Sequence, residues 1–158
     1  MSQAHETTRY WQSLEDPSRA EIGTLVNHLV LDAVKAGASD IHIEPWERSL
    51  VVRLRLHGVL TELIHLPLDL RDKVSGRLKV MANLVSYQND VPQEGHVPAS
   101  PAIGGVELRV SVFPTVRGEK IVIRIFDPQN RSFDLRGLSF EEETLQSLIR
   151  LLERPSGL

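Results

Sequence analysis

The sequence predicts an α+β fold, an antiparallel sheet of about five strands with helices packed mainly on one face and a linker helix at the C-terminal end. Three observations carry this. Ile22, Leu25, Val26, Leu29, Val30, Ala33 and Val34 follow the i, i+3, i+4, i+7 spacing of a one-sided helix. Residues 40–44, 51–56 and 59–64 alternate polar and apolar side chains, as half-buried strands do. Short Gly-, Pro- and Asn-containing punctuation separates these segments.

Taken in order, residues 1–17 are polar and without periodicity, a loose lead-in. Ser18-Arg-Ala-Glu21 is a capping-box pattern, with Ser18 accepting a backbone N–H and Glu21 reaching back, and it opens a helix expected over 19–36. Gly37 supplies a left-handed stop. Trp46-Glu-Arg-Ser and His57-Gly58 turn the following meander. A two-residue loop at 57–58 sets Leu56 against Val59 and Arg53 against Glu62; a turn over 45–50 sets Asp40 against Arg55 and His42 against Arg53. One sheet face then carries Asp40, His42, Arg53, Arg55 and Glu62, and the other Ile41, Ile43, Val52, Leu54, Leu56 and Leu63. The apolar face must meet a helix.

Residues 69–82 read as a second amphipathic helix, with Leu70, Val74, Leu78 and Met81 inward and Arg71, Lys73, Arg77 and Lys79 as a solvated basic surface. Residues 89–95 read as a loop. Two further strands, about 104–113 and 119–127, flank the loop 114–118. After a polar linker, Ser139-Phe-Glu-Glu142 is another capping box. Its helix is lined by Leu145, Leu148, Ile149 and Leu152 and ends before Pro155. The expected organisation is a lead-in (1–17), an α+β domain (18–128), and a linker with its helix (129–158).

Composition narrows the function. The 158 residues are 41% hydrophobic and 25% charged, with net charge −3 and no cysteine. That excludes disulfides and thiolate metal sites and leaves no electrostatic footprint for nucleic acid. No apolar run reaches membrane-spanning length and no signal peptide opens the chain, so a cytoplasmic protein is expected. Nucleophile-elbow and dinucleotide motifs do not occur. Asp40, His42 and Glu44 share one strand face and could hold a divalent metal, but Arg53 and Arg55 across the strand satisfy those charges as structural ion pairs. The pointed feature is Arg109 with Arg124. If 113 pairs with 120, the two face each other, and like charges directly opposite destabilise a sheet. Either an anion sits between the guanidiniums, which suit phosphate, or Glu107 or solvent relieves the repulsion.

In order along the chain come Gly37-Ala-Ser-Asp-Ile-His-Ile-Glu-Pro45; Arg53, Arg55 and Gly58; Arg77-Leu-Lys-Val-Met-Ala82; Pro92-Gln-Glu-Gly95; Leu108-Arg-Val-Ser-Val-Phe-Pro-Thr115; Gly118-Glu119; and Ile121-Val-Ile-Arg-Ile125. Together they resemble the GspE/PilB-type ATPases of type II secretion and type IV pilus assembly. The resemblance implies the N2 domain, the PAS-like module that precedes the motor core. It implies that Arg109 and Arg124 reach the phosphates of ATP held by the core of the same or a neighbouring subunit. For the longer protein it implies ATP and Mg²⁺, a homohexamer at the cytoplasmic face of the inner membrane, and docking on a membrane platform without insertion. His57 stands where the family carries Asp, a substitution within a turn. No Gly-x-x-x-x-Gly-Lys-[Ser/Thr] loop occurs in these residues, so the chain is expected to be an isolated domain that does not hydrolyse ATP alone. A stand-alone binding or scaffold module of the same fold is the alternative.

Overall fold

The computed structural model describes residues 6–14, 20–127 and 135–157. It falls into two compact units, 1–127 and 128–158.

In the first unit, α2 (Ile22–Lys35) begins one residue after Glu21, three residues later than its expected start. Glu21 is the N-cap but makes no side-chain cap bond; its carboxylate accepts from Thr24 Oγ1 at 2.5 Å instead. Ser18, the other half of the expected capping box, lies outside the described residues. The polar lead-in contains a helix, α1 (Glu6–Ser13), for a reason its own composition hides. Asp32, buried on α2, accepts the backbone N–H groups of Glu6 and Thr7, each at 2.8 Å, and so caps α1 from across the fold. Gly37 ends α2 at φ 68°, in the left-handed region.

The sheet has six strands, not five: β1 (Asp40–Pro45), β2 (Ser49–Leu56), β3 (Val59–Pro67), β4 (Gln93–Val97), β5 (Glu107–Thr115) and β6 (Gly118–Phe126). Their order is β3-β2-β1-β6-β5-β4, antiparallel at every pairing. β4 is the strand that alternation could not find. Its sequence, Gln-Glu-Gly-His-Val, has one large apolar residue and a glycine. As an edge strand it needs only one partner, β5.

Register follows the turns. His57 (φ 49°) and Gly58 (φ 84°) form the tight turn that pairs Leu56 with Val59. The hairpin of β5 and β6 closes more tightly than expected, over Val116 and Arg117, yet still pairs Phe113 with Lys120 and Arg109 with Arg124. β1 lies between β2 and β6, pairing Asp40 with Arg55 on one side and Arg124 on the other.

Leu25, Leu29 and Val30 of α2 join Val74 and Leu78 of α3 (Arg71–Met81) in one core with Ile41, Ile43, Leu108, Val110, Ile121 and Ile123 of the sheet. Each such side chain removed from water contributes about 1.5–3 kcal/mol. The helices cover one face, and the other is open. One expectation for α3 fails: Lys79, placed on the solvated basic surface, is fully buried. In the second unit, α4 (Glu142–Leu152) starts after Glu141, which makes no side-chain cap bond, and Ser139 takes φ 57° outside the helix rather than capping it.

Candidate functional site

The open face of the sheet is a charged surface whose members come from alternate residues of neighbouring strands. Near its middle, β1 offers Asp40, His42 and Glu44. Glu44 accepts Arg53 Nη2 at 2.7 Å and lies 2.9 Å from Lys120 Nζ. Burial pushes the Glu44 carboxyl up, but the Lys120 hydrogen bond and charge and the Arg53 charge outweigh it and hold the pKa below its ordinary value. Asp40 lies 3.4 Å from Arg55. His42, opposite Arg53 in register, meets Arg55 Nη2 at 3.4 Å instead. Arg53 turns to Glu44 and stacks over Trp46, 5.7 Å from the ring centre. Glu62, opposite Arg53 in register, turns to His65 at 3.2 Å. The diagonal partners therefore win over the directly opposite ones at Arg53. Burial, then the charges of Arg55 and Lys120, pull the His42 pKa below its ordinary value. Among the described residues, no group of three or more His, Cys, Asp or Glu is arranged to hold a metal ion.

Toward the β4 edge lies the arginine pair. Arg109 and Arg124 stand directly opposite each other on β5 and β6. Arg124 Nε donates to Asp40 Oδ1 at 3.1 Å, and Arg109 Nε donates to Glu94 Oε1. Glu107, one candidate to relieve the repulsion, sits 3.4 Å from His96 instead. Both arginines meet their carboxylate through Nε; their Nη groups make no hydrogen bond among the described residues. The four charged side chains edge an open depression of about 320 Å³, with Ser111, Phe113 and Val122 completing its lining. The arrangement can receive an anion with two planar forks, the geometry that suits phosphate oxygens.

Glu94 was not singled out by the sequence, because the loop reading gave it no facing. Within the motif Pro92-Gln-Glu-Gly95 the strand sends alternate residues to opposite sides. Gln93 clamps the preceding loop: its Oε1 accepts Val85 N–H at 2.9 Å and its Nε2 donates to Val85 O at 3.0 Å and Gln88 O at 2.8 Å. A Cβ at Gly95 would lie 2.2 Å from Ala82 O, so only glycine fits beneath the end of α3. Glu94, between them, faces Arg109 and accepts Ser111 Oγ at 3.1 Å. The Arg109 hydrogen bond, then Ser111, hold the Glu94 carboxyl below its ordinary pKa, and Glu94 in turn raises that of Arg109.

On the covered face, beneath the same hairpin, Lys79 Nζ lies 2.5 Å from Glu119 Oε1 and donates to Gln88 O (2.8 Å) and Asn89 Oδ1 (2.7 Å). Ser75 Oγ donates to the other Glu119 oxygen. Arg71 Nη1 donates to Arg117 O at 3.1 Å in the turn. Helix α3 thus pins both the loop entering β4 and the first residues of β6. The signal in the sequence was there: Lys79 and Glu119 lie in the two segments Arg77–Ala82 and Gly118–Glu119 whose order carried the resemblance.

The chain is 40% identical over 141 residues to the type IV pilus assembly ATPase PilB of Myxococcus xanthus, covering 88% of this chain and 25% of that protein. It is 38% identical over 159 residues to the type II secretion system ATPase E of Vibrio cholerae, covering 99% of this chain and 31% of that protein. The chain therefore spans about a quarter to a third of the length of these relatives. Among solved structures, the pilus retraction motor PilT with bound ADP shares the fold, with a TM-score of 0.50 at 15% identity over 77% of this chain and 34% of that one. The sequence profile of the type II/IV secretion system proteins matches residues 15–158, and the chain belongs to that family.

Proposed function

We propose that this domain clamps nucleotide for a secretion or pilus-assembly ATPase. Arg109 and Arg124 would contact the phosphates of ATP held by an ATPase core, in the same or a neighbouring subunit of a hexamer at the cytoplasmic face of the inner membrane, on a membrane platform. The carrying observation is the pair itself: two arginines opposed in register at the rim of an open depression, their Nη forks without a hydrogen bond among the described residues. The donor set is cationic and fits phosphate oxygens; Mg²⁺ would find its ligands in the core. Here the chain's own residues neutralise charge and hold the phosphate end in place, so the angle between domains follows the nucleotide state.

The test replaces the matching segment of Myxococcus xanthus PilB with this chain. Arg109→Ala or Arg124→Ala is expected to lower ATP hydrolysis about tenfold or more, with far-UV circular dichroism unchanged. Full activity in both variants overturns the role. A second reading, a binding or scaffold module without a motor, is favoured by one observation: each arginine already has a carboxylate. The coding sequence after Leu158 separates the two readings: a phosphate-loop motif removes the second, and a stop codon supports it.

A further inference from the structure

The two carboxylates that hold the arginine pair differ in kind. Asp40 lies on β1, third strand from one edge, with its side chain 6% exposed. It receives Ser39 Oγ at 2.9 Å, Arg124 Nε at 3.1 Å, and has Arg55 at 3.4 Å. A buried carboxylate with two donors and a further cation beside it has no water to retreat to, so it keeps its partners. Glu94 lies on the edge strand β4, its side chain 48% exposed, and among the described residues receives only Arg109 Nε and Ser111 Oγ. An exposed pair of this kind is weak and exchanges readily with solvent and with competing ions.

From this asymmetry we propose that Glu94 is an internal stand-in for phosphate: it occupies Arg109 while no polyphosphate anion is present and swings off when one binds, whereas Arg124 stays on Asp40 throughout. The inference rests on the phosphate-clamp reading above and adds a competitor to it. Chemistry sets the order of preference. A guanidinium holds one carboxylate oxygen here through Nε alone, while a polyphosphate brings more negative charge and enough oxygens to meet both Nη forks at once. A singly charged anion gains little over Glu94 and is turned away. The state with Glu94 bound also lowers the apparent affinity for polyphosphate by the fraction of Arg109 it occupies, so a higher polyphosphate concentration is needed to fill the site. Glu107 cannot serve the same purpose, since it is turned to His96.

The experiment titrates the 158-residue chain with inorganic tripolyphosphate and follows the arginine Nε–Hε signals by NMR. Wild type is compared with Glu94→Gln, Glu107→Gln, Arg109→Ala and Arg124→Ala. Glu94→Gln is expected to bind about fivefold tighter at low salt, with the gain shrinking as salt rises. Glu107→Gln, which removes the same charge two residues from Arg109, is expected to change affinity less than about twofold. In wild type the Arg109 Nε–Hε signal should move most, as it exchanges Glu94 for phosphate, and the Arg124 signal least. Equal affinity in Glu94→Gln and wild type overturns the proposal, as does no binding in either, or equal tightening in Glu107→Gln. Loss of binding in Arg109→Ala with Glu94→Gln unchanged removes only the role of Glu94. Wild-type binding in both arginine variants overturns the clamp reading itself.

Discussion

Two ion pairs sit on opposite faces of one sheet, and their contrast says what each is for. Lys79 and Glu119, on the helix-covered face, are 0% and 10% exposed. The ammonium donates to Gln88 O and Asn89 Oδ1 and forms an ion pair with Glu119. Arg109 and Glu94, on the open face, are 56% and 48% exposed, and the Arg109 Nη groups make no hydrogen bond among the described residues. The charges are alike, but burial makes the first pair a fixed pin and solvent makes the second one exchangeable. His42, 8% exposed among cations and acids, is buried like the first pair but carries a charge that changes with pH.

Breaking the pin is expected to have the largest effect. Lys79→Ala leaves Glu119 beneath α3 without its cation and should lower unfolding free energy by about 3–5 kcal/mol in urea titration. A cost under about 1 kcal/mol would remove the distinction between the two pairs. Next comes the strand that carries the exchangeable acid. Gly95→Ala places a methyl group against Ala82 O and should cost about 1–3 kcal/mol by the same assay. It should also disturb the Nε–Hε signal of Arg109, because β4 must shift.

The buried histidine shows itself as pH dependence. The His42 pKa is depressed in the folded chain, so the unfolded chain binds the proton first as acid is added. Its contribution is complete above the ordinary histidine value of about 6.5 and is lost as pH falls from there toward the lower folded pKa. The urea midpoint should fall between about pH 7 and 5, and His42→Gln should flatten that slope; an equal slope in the variant assigns it elsewhere. The smallest effect belongs to Glu94→Gln. Its urea midpoint at neutral pH should match wild type, and a clear drop would make the pair structural after all.

Legibility in the sequence tracked how local the determining physics was. The turn at His57-Gly58 set the β2–β3 register, and the apolar stripe of α2 and the opposition of Arg109 and Arg124 followed from short-range rules. Helix α1 escaped because its cap is Asp32, 25 residues distant from Thr7. Strand β4 escaped because an edge strand can be built from polar residues when β5 supplies the pairing. Lys79 escaped because helical periodicity ranks lysine as solvated and cannot see Glu119, which arrives from the far end of a hairpin. The arginines were found from register; the acids that hold them needed the third dimension.

The tight fit of Gly95 under Ala82 has a consequence for how this segment can change in length. Gln93 must reach the loop, Glu94 must reach Arg109, and Gly95 must pass the helix end, on alternating sides of one ribbon. Gaining or losing a single residue between Pro92 and Val97 would invert that parity, sending the acid beneath the helix and a side chain where only hydrogen fits. A single-residue change is accommodated here only with a β-bulge that restores the alternation, so along this edge the spacing of the strand is constrained together with the identity of its residues.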